Sequence, residues 1–566
     1  MSPAQALERP PALRCLLSPL RRPPGMSRVL SRRFLLRSAI SAAAGALLWA
    51  PSPTARAQVR WSGDPFQLGV ACGDLSNDGF VIWTRLAPEP MDASALGAMP
   101  YDVAFEVAED REFRNVRKRG WATAWPHLAH TVRVEIDGLE SGREYFYRFF
   151  AGREESPTGR ALTAPREGHG ALRFAITSCA HYEQGYFSAY RHLAADRPDI
   201  VFALGDYIYE SSWGWRQVRA FDVKEARTLD DFRRRYALYR MDSDLQAAHR
   251  ACPWLFTWDD HEVENDYSGE HSEHEDCGGS EEAAAFLARK KAAYQAYFEN
   301  MPIRASRLRG AGSIKIHDSV AWGDLARLIL LDNRQYRSRQ ACSSPATAQS
   351  CDPSRRVGIF TGGGEAIDPA EPRCKADLED PRRTMLGFEQ EDWLDGELSR
   401  SSQRWTLLAQ SLFFSPLREG SAERQTVFTD SWGGYPLARR RLLASAKKHR
   451  VRNLVVASGD VHCFWANEIP GSGDENVGTE FVTSSIATQV SSRQRLMGAA
   501  NPHLRFHDGA HSGYVRFDVS ADRMRAAFIG VDDIRDPASG AKTLATFEVS
   551  DGAPRLARTD ATPDAG

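Results

Sequence analysis

Five apolar runs in this chain end on the same kind of polar cluster. Leu172–Thr177 runs into Ser178-Cys179, and Ile200–Leu204 runs into Gly205-Asp206. Residues 254–258 run into Asp259-Asp260-His261-Glu262, and residues 325–331 run into Asp332-Asn333-Arg334. Leu454–Ser458 runs into Gly459-Asp460-Val461-His462. Near-continuous apolar strands require a sheet covered on both faces. Polar residues gathered at strand C-termini require a crevice site at that edge. One Asp after a strand is ordinary turn chemistry; five ends carrying Cys, Asp, His and Glu exceed it. Helical stretches at about 185–195, 229–249, 280–298, 388–401 and 438–449 fill the intervals, so the spacing predicts an α/β fold.

Residues 62–165 follow another pattern. Short runs that alternate apolar and polar positions, such as Gly79-Phe80-Val81-Ile82-Trp83-Thr84-Arg85, succeed one another without intervening helices. They predict an N-terminal antiparallel β-sandwich over 58–165, with a linker at 163–168 and a catalytic α/β domain over 170–550. Residues 340–384, rich in Pro, Gly and Ser, read as a long surface loop. Cys342, Cys351 and Cys374 cluster there, and an oxidising compartment could pair two of them.

Residues 1–57 read as an export signal. Ser31-Arg32-Arg33-Phe34-Leu35-Leu36-Arg37 is a twin-arginine run, an apolar stretch follows over 38–50, and Ala55-Arg56-Ala57 supplies a small-x-small cleavage site. Thirteen apolar residues are too few for a bilayer, which needs about 20. Met26 precedes this signal, so residues 1–25 are read as a possible upstream start. The expected route is the Tat translocase, to the periplasm or beyond, without a membrane anchor in the mature form. The whole chain carries 72 basic and 74 acidic residues. Removal of 1–57 takes away nine Arg and one Glu and leaves 63 against 73, a net charge of about −10. Such a surface offers no electrostatic case for nucleic acid.

The strand-end residues form a coherent donor set. Asp206 and Tyr209 are three apart and Asp460 and His462 two apart, on separate loops, and a glycine before each Asp permits a sharp backbone turn. Carboxylate, phenolate and imidazole are hard to borderline ligands, suited to Fe(III), Mn or Ca. Two ions about 3.5–4 Å apart would clamp an in-line displacement at phosphorus.

These motifs resemble PhoD-type alkaline phosphatases. The likeness rests on Ser178-Cys179, Gly205-Asp206-Tyr207-Ile208-Tyr209-Glu210, Trp258-Asp259-Asp260-His261-Glu262 and Gly459-Asp460-Val461-His462. It extends to Leu68-Gly69-Val70-Ala71-Cys72-Gly73-Asp74, Asp332-Asn333-Arg334-Gln335-Tyr336-Arg337 and Asp430-Ser431-Trp432-Gly433-Gly434-Tyr435-Pro436. The resemblance implies a β-sandwich ahead of an αββα metallophosphoesterase domain related to purple acid phosphatases. It implies Tat export and hydrolysis of phosphate mono- and diesters, small-molecule phosphoesters being the substrates. It also implies a centre of Fe(III) and Ca(II). Carried over by motif, Cys179, Asp206, Tyr209 and His462 would ligate iron. Asp206 would bridge to calcium, completed by Asp260 and Asp460, and Glu262 or Asn265 would serve a second calcium.

His261, beside Asp260, is better placed to bind a phosphate oxygen or protonate the leaving alkoxide than to be a further ligand on the same ion. Arg334 is read either as a fork for phosphate oxygens or as a surface ion pair. Cys463 is read as packing. The acidic, His-rich run at 271–276 is read as a solvated loop. Asn333, Gly433 and Asp266 depart from the family pattern. Three rival functions follow from the same residues: a phospholipase-D-like diesterase on lipid headgroups, a non-catalytic exported binding protein, and a thiol redox enzyme. The last lacks any C-x-x-C partner for Cys179.

Overall fold

The computed structural model describes residues 60–560 except 169, 215, 273–274, 311, 343–365, 421–424, 472, 474 and 491–499. The export signal, Cys351, Glu273 and His274 lie outside the described residues.

Two sheets form the centre. A ten-stranded sheet has at its middle the parallel strands Leu172–Thr177, Ile200–Leu204, Trp254–Thr257 and Val70–Gly73, in that spatial order. On one side it continues antiparallel through Gly513–Val519, Arg523–Val531, Ala541–Ser550 and Ala557–Arg558. A seven-stranded sheet is built on the parallel strands Ala326–Leu330, Trp405–Ala409, Leu454–Ser458 and Asn476–Val482.

Alternation along each strand explains the layering. Phe174, Ile176, Phe202 and Leu204 meet Leu328, Leu330, Leu407, Ala409, Val455 and Ala457 in one buried core between the sheets. The intervening Ala175, Val201 and Ala203 face Phe187, Leu193, Phe232 and Leu245 of covering helices. On the second sheet, Ile329, Leu408 and Val456 face Leu394, Leu398 and Leu442. Both faces of both sheets are therefore apolar, which produces the near-continuous runs and gives the expected order helix, sheet, sheet, helix.

Two expectations are modified. The stretch 229–249 is two helices, Leu229–Arg240 and Ser243–Ala251. Asp242 breaks it: its backbone is extended (φ −68°, ψ 124°), and its carboxylate accepts the Asp244 and Leu245 N–H groups as an N-cap. The segment read as a separate sandwich also shares a sheet with the rest of the chain. Val70–Gly73, Phe80–Arg85 and Thr131–Ile136 extend the ten-stranded sheet, with Gly73 in parallel register with Trp254. The strands Val116–Ala124, Tyr101–Ala108, Glu144–Ala151 and Glu154–Glu155 form a small second layer, joined by Gly159–Leu162. Its Tyr145, Tyr147 and Phe149 belong to the same buried core as Phe174 and Phe202. In the loop that follows residue 340, Cys342 and Cys374 form a disulfide. No helix among the described residues is long and apolar enough to cross a membrane.

Candidate active site

Register brings the polar ends to one edge. Ala203 pairs with Thr177 and Leu204 with Thr257 in one sheet; Leu330 pairs with Ala409 and Ala409 with Ala457 in the other. The next residues of each strand therefore emerge together. Thr257 Oγ1 donates to the Leu331 carbonyl at 2.7 Å, and Trp258 Nε1 to Asp332 Oδ1 at 3.0 Å, tying the sheets at this edge.

The loops there adopt costly backbone shapes. Cys179 (φ 59°), Asp206 (52°), Asp460 (68°) and His462 (51°) all occupy the left-handed region. Non-glycine residues pay about 1–3 kcal/mol each for such conformations, which persist where surrounding structure enforces them. Gly205 has φ 102°, and a Cβ there would lie 2.4 Å from the Asp259 Cβ. At Gly459 a Cβ would lie 2.4 Å from Ser178 Oγ. The glycine before each Asp is thus needed so that neighbouring strand-end loops can touch.

The side chains converge in overlapping groups. Donor atoms of Cys179, Asp206 and His462 lie within 4.8 Å of one another, as do those of Asp206, Asp260 and His261, and those of Asp259, Asp260 and Asp460. The Tyr209 hydroxyl donates to Asp206 Oδ2 at 3.1 Å and lies 3.1 Å from His462 Nε2. Asp206 and Asp260 are each shared between two groups.

Electrostatics make the cluster costly as it stands. Burial, reinforced by neighbouring acids, pushes the Cys179 thiol, the Tyr209 phenol and the Asp206 and Asp460 carboxyls well above their usual ranges. Burial also opposes ionisation of Asp260, but Arg334 and His261 outweigh it and hold that carboxyl below the usual range. One oxygen on each of Asp259, Asp260 and Asp460 is buried and makes no hydrogen bond among the described residues. Such groups need a compensating partner. A thiol, a phenol, imidazoles and unsatisfied carboxylate oxygens in one place are a donor set that fits bound cations.

The structure brings together Cys179, Asp206, Tyr209, Asp260, His261, Asp460 and His462 of the residues singled out from sequence. Arg334 departs from both of its readings. It is fully buried, and its guanidinium is held by carboxylates: Nε by Asp259, Nη1 by Asp430 Oδ1 at 2.9 Å, with Nη2 2.9 Å from Asp430 Oδ2 and 3.4 Å from Asp260 Oδ1. It balances the acidic cluster and is neither a surface pair nor an open fork. Glu262 is also engaged otherwise than expected. Its carboxylate accepts the backbone N–H groups of Asp206 (3.1 Å), Tyr207 (2.7 Å) and Asp259 (2.9 Å), so it fastens two site loops together. Asn265 is half-buried on the loop that follows. Cys463 packs with Val461, Trp465 and Phe413 as read.

Sequence reasoning passed over several members of the site. Asp259 adjoins Asp260 and could have been noticed from the doubled acid. Glu210, four residues after Asp206, receives the His261 ring. Asp430 gathers Arg334 and Arg337 from 90 or more positions away, which no local signal announces. Trp213 and His181 wall the site, with rings 5.3 and 4.5 Å from that of Tyr209.

The fold and site together define a two-sheet α/β protein whose acids, thiol and imidazoles are gathered and buried at the strand C-termini. The family model described as PhoD-like phosphatase matches residues 174–528, and that of the PhoD-like phosphatase N-terminal domain matches residues 51–165. Alkaline phosphatase D of Bacillus subtilis (strain 168) is 38% identical over 505 residues, which span 86% of this chain and 81% of that protein. A solved structure of PhoD superposes with a TM-score of 0.81 at 36% identity, covering 90% of this chain and 95% of that one. The chain belongs to the PhoD-like phosphatase family.

Proposed function

We propose that this phosphatase hydrolyses phosphate mono- and diesters at a centre of one Fe(III) and Ca(II). The observation that carries the reading is the position of Asp206. It belongs both to the thiol, phenol and imidazole set of Cys179, Tyr209 and His462 and to the group that contains Asp260. The first set suits a trivalent, borderline ion and the carboxylates of Asp206, Asp260 and Asp460 suit a hard divalent one. When bound, such ions supply positive charge for the phosphoryl oxygens and lower the pKa of water, the nucleophile.

The chain's own groups have definite tasks in this scheme. Cys179 and Tyr209 must give up protons that burial otherwise holds on them, so their side chains are committed to a cation. His261 is held protonated by Glu210, Asp260 and Asp206 against the opposing effect of burial, and can give a proton to the departing alkoxide. Arg334 offsets part of the charge of Asp259, Asp260 and Asp430 and fixes their orientation.

The test is turnover of p-nitrophenyl phosphate and bis-p-nitrophenyl phosphate with and without EGTA. Both substrates should be hydrolysed and both activities should collapse on calcium removal; calcium-independent turnover contradicts the reading. Hydrolysis of phosphatidylcholine in preference to both would favour a lipid diesterase. Export by the Tat route belongs to the same proposal. It is supported by the twin-arginine run and by the Cys342–Cys374 disulfide, a bond that persists in oxidising compartments. A secreted or periplasmic protein whose N-terminus still contains Arg32 and Arg33 would contradict it.

A further inference from the structure

A cleft of about 700 Å³ adjoins the site and has no part in the scheme above. Its walls are the loop of Arg216 and Gln217, the segment of Gln489, and the turn of Asp532, Asp533 and Arg535. The first two walls are continuous with the donor set. Gln489 follows Thr488, whose hydroxyl donates to the Cys179 carbonyl at 2.8 Å and lies 3.5 Å from the Tyr209 hydroxyl. Ser512 of the cleft donates to the Thr488 carbonyl at 3.1 Å. Arg216 comes three residues after Trp213, whose ring meets that of Tyr209 edge-on. Across the cleft, Arg216 Nη1 donates to Gln489 Oε1 at 3.3 Å. Arg216 also holds a left-handed backbone (φ 49°), a shape that costs free energy in a non-glycine residue and persists where its surroundings enforce it.

The lining defines what the cleft would hold. Its volume is that of a site for a ligand of drug-like size, so a phosphate with a small alkyl arm would leave most of it unfilled. Among the described residues that line it, two arginines face two aspartates, which makes it neutral. Arg535 forks onto Asp533 at 3.0 and 2.9 Å, and Lys542 lies 3.3 Å from Asp532. A further phosphate on the ligand would meet those two carboxylates. Hydroxyl groups both donate and accept, and so match the amides of Gln217 and Gln489 as well as the charged pairs. Val490, Val531 and Ile534 offer apolar surface to C–H faces between them. We propose that this cleft is a specificity site: it holds the second arm of a phosphodiester and selects an uncharged, hydroxyl-rich arm such as a sugar, with Arg216 and Gln489 as selecting residues. The inference rests on the reading of the centre as a diesterase.

The test uses p-nitrophenyl phosphodiesters, so that the leaving phenolate is constant. The second arm is methyl, glucose joined through its 6-oxygen, or the same glucose carrying a further phosphate. Wild-type kcat/KM should be roughly tenfold higher for the glucose arm than for methyl, the effect of one or two well-placed hydrogen bonds. The added phosphate should remove that gain. In Arg216→Ala and in Gln489→Ala the glucose-to-methyl ratio should fall towards one. Asp532→Asn, which takes one negative charge from the cleft, should raise turnover of the phosphate-bearing arm relative to glucose. A wild-type ratio near one, a ratio that neither alanine variant moves, or a preference for the phosphate-bearing arm overturns the specificity site. If p-nitrophenyl phosphate is hydrolysed and no diester is, the diesterase reading fails instead, and the inference with it.

Discussion

The Tyr209 hydroxyl lies 3.1 Å from His462 Nε2, although 253 positions separate the two residues. One follows a strand of the ten-stranded sheet and the other a strand of the seven-stranded sheet, so their contact is the point at which the two layers jointly make a site.

Glu262 should matter to stability before it matters to catalysis. Its carboxylate takes three buried backbone N–H groups, and each donor left unsatisfied costs about 1–3 kcal/mol. Glu262→Ala is expected to lower the urea midpoint by an amount worth several kcal/mol. A variant with unchanged midpoint but reduced calcium content would instead make Glu262 a ligand.

The metal-free protein should weaken as pH rises. Asp206 and Asp460 are pushed above the unfolded value of about 3.9, mainly by burial, and Glu262 is pushed up to about 7 for the same reason. Raised folded-state values mean that the folded chain binds more protons than the unfolded one, so stability is full at low pH and is lost as pH rises through the folded values. Asp260 and Glu210 have the opposite sign but act at about pH 4 and below, and His181, His249 and His317, whose imidazoles burial pushes down, oppose the trend below their unfolded value of about 6.5. The melting temperature of chelator-treated protein should therefore fall between about pH 6.5 and pH 8, above the range of the histidines, and added metal should reverse the fall. A chelated protein that gains stability over that interval contradicts the assignment.

Gly205→Ala should be poorly tolerated. The φ of 102° is unfavourable for any side chain, and the new Cβ would meet Asp259 within 2.4 Å. A cost of at least about 1–3 kcal/mol is expected from overpacking, read as a lower melting temperature together with loss of activity, since Asp206 and Asp259 would be pushed apart. Wild-type melting and activity would show that the loops can move aside.

The Cys342–Cys374 bond closes a loop with a sequence separation of 32. Chain-entropy arguments assign such a closure about 3–4 kcal/mol. A double substitution to Ser should lower stability by up to about that amount, measured by urea unfolding in the absence of reductant; an unchanged midpoint would mean that the bond does not form in the native protein.

Much of this site was legible because its chemistry is local. A ligand at the end of an apolar strand is written in consecutive residues, as in Gly205-Asp206 or Gly459-Asp460-Val461-His462, and parallel register then levels those ends. What could not be read depends on partners distant in the chain. Arg334 looks like a free fork until Asp259, Asp260 and Asp430 surround it. Glu262 looks like one more acid until three N–H groups point at it. The N-terminal strands form the two packed layers that their alternation predicts, but alternation reports which face is buried and not which neighbour a strand pairs with, so the Gly73–Trp254 register that joins one layer to the catalytic sheet could not be read. The break at Asp242 was readable in principle, since Asp before Ser-Asp-Leu is an N-cap signal.

The proposed function requires Cys179, Asp206, Tyr209 and His462 to hold Fe(III). Elemental analysis and visible absorption of the purified protein, beside Tyr209→Phe, test it most directly. Iron at one equivalent per chain is expected, with a phenolate-to-iron absorption band that vanishes in Tyr209→Phe. A colourless, iron-free protein that is fully active would contradict it.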